Sequence, residues 1–108
     1  PDSHGISNRV KQLIGTDFQR PLPGLQDVAE RLHMTTPTLH RRLREEGTSF
    51  QQLKDQCRRD TAVGYLTSGN YTTAQLAELM GFSDSSTFHR AFKKWTGLTP
   101  SEYRDKNG

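Results

Sequence analysis

The sequence predicts an all-α fold in which two helix-turn-helix subdomains are joined by one long connecting helix. Three observations carry this. Apolar residues recur at helical spacing along most of the chain. Capping residues and breakers bracket those runs. The pattern of one helix pair is also repeated, about fifty residues on, in a second pair.

The first helix is expected from about Ser7 to Phe18, with Val10, Leu13, Ile14 and Phe18 along one side. Arg20-Pro21-Leu22-Pro23-Gly24 breaks it. Leu25 to Leu32 forms a short helix with Leu25, Val28, Ala29 and Leu32 inward. Its start is weak because Gly24 offers no side-chain acceptor, although Asp27 suits the first turn.

His33 to Thr35 turns the chain, and Thr36 is the expected cap of the next helix with Pro37 at its first position. Leu39 and Leu43 face inward there. Pro37, Thr38, His40, Arg41 and Arg44 lie on or near the opposite face, with Arg42 at the border. Gly47 ends it. Ser49 caps a long helix from Phe50 to about Leu66, in which Phe50, Leu53, Cys57, Ala62, Tyr65 and Leu66 do not share one stripe. A connector buried on different sides at its two ends would look like this. Gly64 costs about 1 kcal/mol against alanine, so fraying is expected near it.

Ser68-Gly69-Asn70 stops the connector, and Thr72 with Gln75 forms a capping box for the following helix. Gly81 turns the chain, and Ser83 is the expected cap of the next helix, with Asp84 adding negative charge at its positive end. Phe88, Ala91, Phe92 and Trp95 then form one apolar stripe. Ser86, Thr87, His89, Arg90, Lys93 and Lys94 lie opposite. Gly97 closes this helix, and Thr99-Pro100 opens a last short one. The tail Arg104–Gly108 is expected to fray.

Short hydroxyls first, an arginine mid-face and lysines last is an order suited to entering a DNA major groove N-terminus first. One amphipathic helix with a solvated basic face could show it without any such role. The repeat is the stronger argument. Val28-Ala29-Glu30 matches Leu76-Ala77-Glu78, and Met34-Thr35 matches Phe82-Ser83. Leu39-His40-Arg41 matches Phe88-His89-Arg90, Leu43 matches Phe92, Gly47 matches Gly97 and Leu53 matches Tyr103. Both copies place an arginine opposite the core stripe, preceded by a histidine.

The connector, ~17 residues or roughly 25 Å as a helix, has the order of length that would set two such helices into successive major grooves, ~34 Å apart. The expected division is a linker remnant at 1–5, a first subdomain at 6–48, the connecting helix at 49–68 and a second subdomain at 69–108.

Composition bounds the alternatives. With 108 residues and 31% hydrophobic content the chain can build only thin cores. The net charge of +3 is compatible with a nucleic-acid partner without establishing one. Cys57 is alone, so a disulfide or a cysteine-based zinc site is not expected and a reducing, cytoplasmic setting is. No apolar run approaches the ~18 residues of a membrane span. Ser85 and His89 sit one turn apart without a nucleophile elbow, phosphate loop or paired acids beside them, so no catalytic site, metal or cofactor is expected. Pro1–Gly5 looks like a cut linker, which suggests a fragment of a longer chain.

These residues resemble the C-terminal DNA-binding domain of the AraC/XylS family of bacterial transcription regulators. The resemblance runs from Ser7 to about Arg104. Its most specific part is Ala77, Gly81-Phe82, Ser86, Phe88, Arg90, Phe92-Lys93-Lys94, Gly97, Thr99-Pro100 and Tyr103-Arg104. It implies seven helices, with Pro37–Glu46 and Asp84–Thr96 as recognition helices. The groove-facing residues it implies are Thr36, Pro37, Thr38, His40 and Arg41 in the first, and Ser85, Ser86, His89 and Arg90 in the second.

Arg44, Lys93 and Lys94 are expected at the DNA backbone. Double-stranded DNA is the implied partner, RNA polymerase a further one, and a sensor or dimerisation domain is implied upstream. Two departures stand out: Gly47 comes one residue early, and His33 stands where glycine is frequent. The rival reading is a helical interaction module docking an acidic protein, which would expose apolar anchors.

Overall fold

The computed structural model describes residues 5–107. Among the described residues there are seven helices and no strand: α1 (Ile6–Ile14), α2 (Leu25–Arg31), α3 (Thr36–Glu45), α4 (Phe50–Ser68), α5 (Thr73–Leu79), α6 (Ser85–Thr96) and α7 (Pro100–Asn107). The all-α class and the helix order are as expected; the differences lie at helix ends. Of the expected linker remnant, all but Gly5 lies outside the described residues.

The chain divides into two compact units. The first takes the chain up to Gly15 together with Leu22–Cys57, and the second takes Thr16–Pro21 with the chain from Arg58 onward. The division therefore falls inside α4 instead of at its ends, and the boundaries differ from the expected 6–48, 49–68 and 69–108. The mixed stripe of α4 follows: Leu53 and Cys57 are buried in its first part, Ala62 and Leu66 in its second.

In the first unit the core is aliphatic: Ile6, Val10 and Ile14 of α1, Val28 and Ala29 of α2, Leu32, and Leu39 and Leu43 of α3 are all buried. Leu25 is only half-buried. α1 lacks a local cap, since Gly5 precedes it. Its free N–H groups find Glu46 instead. Ile6 N–H donates to Oε2 at 3.0 Å, Ser7 N–H donates to Oε1 at 3.0 Å, and the Ser7 hydroxyl also donates to Oε1. A carboxylate from just beyond α3 thus caps α1 across the unit. These bonds, the Ser7 hydroxyl first, hold the Glu46 carboxyl below its ordinary range.

α1 ends at Ile14, not Phe18, because Gly15 takes a positive φ of 75°. Asp17 Oδ1 then accepts from Gln19 N–H at 3.2 Å, a local turn that competes with helix. Phe18 is buried, but in the second unit, with the Arg58 guanidinium 6.0 Å from its ring centroid.

The rest of the second unit's core is built around an aromatic cluster. Phe88 packs at 5.8 Å from Phe92 and 5.7 Å from Phe82, and Phe92 meets Tyr103 edge-on at 5.6 Å. Trp95 is half-buried against Phe82 at 6.1 Å. Leu76, Ala77 and Met80 are buried beside them.

α4 does not fray at Gly64. It continues to Ser68, with the Thr67 hydroxyl donating to the Val63 carbonyl at 2.9 Å and the Ser68 hydroxyl donating to the Gly64 carbonyl. Nor does the chain fray at Arg104: α7 runs to Asn107, and Arg104 Nη2 donates to the Tyr71 carbonyl at 2.9 Å.

Candidate DNA interface

The two helix pairs, α2–α3 and α5–α6, are built by the same local bonds. In the first, His33 N–H donates to the Glu30 carbonyl at 3.0 Å and Met34 N–H to the Ala29 carbonyl at 2.9 Å. In the second, Gly81 N–H donates to the Glu78 carbonyl at 3.0 Å and Phe82 N–H to the Ala77 carbonyl at 2.8 Å. Both pairs satisfy the last carbonyls of the first helix while reversing the chain. The residue at the bend has positive φ in each, 60° at His33 and 82° at Gly81.

The second helices start one residue away from where the sequence places them. Thr35, not Thr36, caps α3: its Oγ1 accepts from Thr38 N–H at 3.3 Å. Thr36 and Pro37 therefore fall within the first turn, where proline lacks only a donor that would be unpaired anyway. Asp84, not Ser83, caps α6, accepting from Thr87 N–H at 2.8 Å. An Asp carboxylate complements the positive helix end better than a serine hydroxyl. The Thr87 N–H, and after it the Thr87 hydroxyl, keep the Asp84 carboxyl below its ordinary range.

On α3, Pro37, His40, Arg41 and Arg44 are exposed, and Thr36 and Thr38 are half-buried. On α6, Ser86, Arg90, Lys93 and Lys94 are exposed, and Ser85 and His89 are half-buried. Most of each set lies opposite the buried pair of its helix, Leu39 and Leu43 or Phe88 and Phe92, whereas Thr36 and Ser85, three and seven residues before those pairs, fall on the core-facing side of the first turn. Except for Thr36 and Ser85, the predicted residues are thus brought together within each unit, on the side of the second helix away from the core. Arg42, expected at the border of the stripe, is exposed as well.

Two acidic residues missing from the predicted set bear on this surface. Glu45 Oε2 lies 4.0 Å from Arg41 Nε. The four-residue spacing was a readable sign of that pair. Glu46 clamps α1, a partner 39 and 40 positions away that no local pattern indicates.

The described residues contain no group of three or more His, Cys, Asp or Glu that could hold a metal ion. No helix among them is long and apolar enough to cross a membrane.

Comparison with known proteins places this geometry in a family. The family profile described as a helix-turn-helix domain matches residues 28–106. The chain is 42% identical over 103 residues to an ornithine utilization regulator of Pseudomonas aeruginosa, covering 94% of this chain and 30% of that protein. It is 46% identical over 99 residues to an uncharacterised HTH-type transcriptional regulator of Mycobacterium tuberculosis, covering 92% of this chain and 28% of that one. The chain therefore spans about three tenths of the length of these curated relatives. Among solved structures, a DNA-binding transcriptional dual regulator of Escherichia coli K-12 superposes with a TM-score of 0.80 at 28% identity, covering 94% of this chain and 91% of that one. With the doubled helix pairs and their outward basic faces, these matches show that the chain belongs to the AraC/XylS family of transcription regulators, as a helix-turn-helix DNA-binding domain.

Proposed function

We propose that this domain reads one asymmetric duplex site, with α3 and α6 as recognition helices entering successive major grooves. The observation that supports this most is the duplicated bend. It presents an exposed arginine at the same register of each second helix, Arg41 and Arg90. A guanidinium can make two hydrogen bonds to guanine O6 and N7, the commonest specific contact in the major groove. Thr36, Pro37, Thr38 and His40 flank Arg41, and Ser85, Ser86 and His89 flank Arg90, as further base or sugar contacts. Arg44, Lys93 and Lys94 face phosphates, supplying affinity and salt dependence without sequence choice.

The function is binding, with no catalytic step, in the cytoplasm. The relatives' greater length supports a sensor or dimerisation domain elsewhere in the full protein, and RNA polymerase is the natural further partner of such a regulator. The alternative, a module docking an acidic protein, needs exposed apolar anchors. Among the described residues no large hydrophobic side chain is exposed.

Selection of bound sequences from a random duplex pool tests the reading. The expected result is one non-palindromic consensus with two conserved blocks about one helical turn apart, bound with steep salt dependence. Enrichment of no sequence, or of a single short block, would contradict it.

A further inference from the structure

Glu45 stands four residues after Arg41 on the outer face of α3. Its Oε2 is 4.0 Å from Arg41 Nε, and the two side chains are 66% and 61% exposed. In the register that pairs Leu39 with Phe88 and Leu43 with Phe92, Arg41 corresponds to Arg90 and Glu45 to Lys94. The same position is therefore acidic in one recognition helix and basic in the other. Glu46, next in sequence, is already engaged by Ile6 and Ser7, and among the described residues it is the Glu45 carboxylate that reaches Arg41.

We propose that Glu45 is a positioning residue that sets the sequence selectivity of the first unit through Arg41. This rests on the reading of Arg41 as a base-contacting residue. The exposed ion pair is weak and holds the guanidinium over α3 while the groove is empty. A guanine edge that takes two hydrogen bonds draws Arg41 away from Glu45. An isolated phosphate offers less, and Arg41 reaching toward it leaves the carboxylate close to the polyanion. The pair thus discriminates against wrong sites more than it favours the right one. Lys94 does the reverse in the second unit, adding attraction to any phosphate, so that this one position sharpens choice in α3 and adds affinity in α6.

Fluorescence anisotropy on a selected duplex and on a scrambled one, over a salt series, tests this with Glu45→Gln, Arg41→Ala, the double variant and Lys94→Gln. Glu45→Gln is expected to tighten binding to the scrambled duplex about two- to fivefold, and to change binding to the selected duplex less than twofold. Its thermal midpoint stays unchanged. In the Arg41→Ala background, Glu45→Gln leaves the discrimination ratio where it was. Lys94→Gln weakens both duplexes alike.

Equal tightening on both duplexes would reduce Glu45 to background charge and overturn the proposal, as would an effect that survives without Arg41. Either result leaves the DNA-binding function standing. A parent protein that fails to discriminate at any salt concentration would bring down both.

Discussion

His33 and Gly81 occupy the same place in the two bends, both with positive φ, yet only one of them has to be glycine. A Cβ on Gly81 would lie 2.1 Å from the Phe18 carbonyl oxygen, a backbone atom that cannot step aside cheaply. His33 carries its side chain outward, exposed to solvent, at a φ of 60°.

Opposite effects follow at equivalent positions. His33→Gly relieves a left-handed residue, a cost of ~1–2 kcal/mol, against a larger entropy loss for glycine of ~0.5–1 kcal/mol. The domain should gain up to about 1 kcal/mol, seen as a thermal midpoint higher by several degrees. Gly81→Ala meets both the wrong φ and the Phe18 carbonyl, so it should lower the midpoint and weaken DNA binding by displacing α6. A neutral Gly81→Ala would show that the segment around Phe18 does not pack there.

Gly64 is the contrasting glycine. It lies inside α4, and a Cβ there would meet nothing within 4 Å. Gly64→Ala should stabilise by about 0.5–1 kcal/mol, by narrowing the unfolded ensemble and restoring helix propensity. Chemical denaturation should show a higher midpoint with an unchanged slope. A lower midpoint would mean that α4 needs the flexibility.

What the sequence made legible was whatever is decided within about one turn. The Thr72–Gln75 box forms as written, with bonds of 2.8 and 3.1 Å. Thr99 opens α7 as expected, accepting from Glu102 N–H at 3.2 Å, and Glu102 Oε1, not anticipated from the sequence, accepts from Thr99 N–H at 2.9 Å. The outward faces of α3 and α6 follow from the same periodicity. One-residue errors at Thr36 and Ser83 arose because adjacent hydroxyl or acidic residues compete for one cap, and propensity does not rank them. Long-range partners left no trace. Phe18 has the spacing of an α1 core residue but joins the second unit, and Glu46 has the look of a solvated acid but caps α1. Both choices are made by tertiary contacts.

Glu46 should make the first unit sensitive to acid. Its carboxyl lies below the ordinary 4.5, first through the Ser7 hydroxyl, then the Ser7 and Ile6 N–H groups, with burial opposing and Arg42 adding a little. A depressed folded-state value contributes stability that is fully present above the unfolded value and is lost as pH falls through the lower one. Glu46→Gln should therefore be less stable than the parent at pH 7, with the gap closing below pH 4.5. Ser7→Ala should behave likewise but more weakly, because two backbone donors remain. Part of the acid sensitivity should persist in both variants, since Asp84 and Glu102 in the second unit are depressed by their own capping bonds. A gap between Glu46→Gln and parent that is constant down to pH 3 would show that the clamp does not form in solution.

Lys93 and Arg90 share the outer face of α6 but should fail differently. Lys93, in the last turn, is a point charge suited to a phosphate. Lys93→Ala should weaken every duplex by a similar factor and lower the slope of log affinity against log salt by about one. Arg90, mid-helix and exposed, presents a fork that matches a guanine edge. Arg90→Ala should cost about 1–3 kcal/mol on the selected duplex and relax base choice at a single position. Repeating the duplex selection with each variant separates the two: the consensus should survive Lys93→Ala intact and lose one base under Arg90→Ala. If both variants returned the parent consensus, Arg90 would be a phosphate contact, and base reading in the second groove would pass to Ser85, Ser86 and His89.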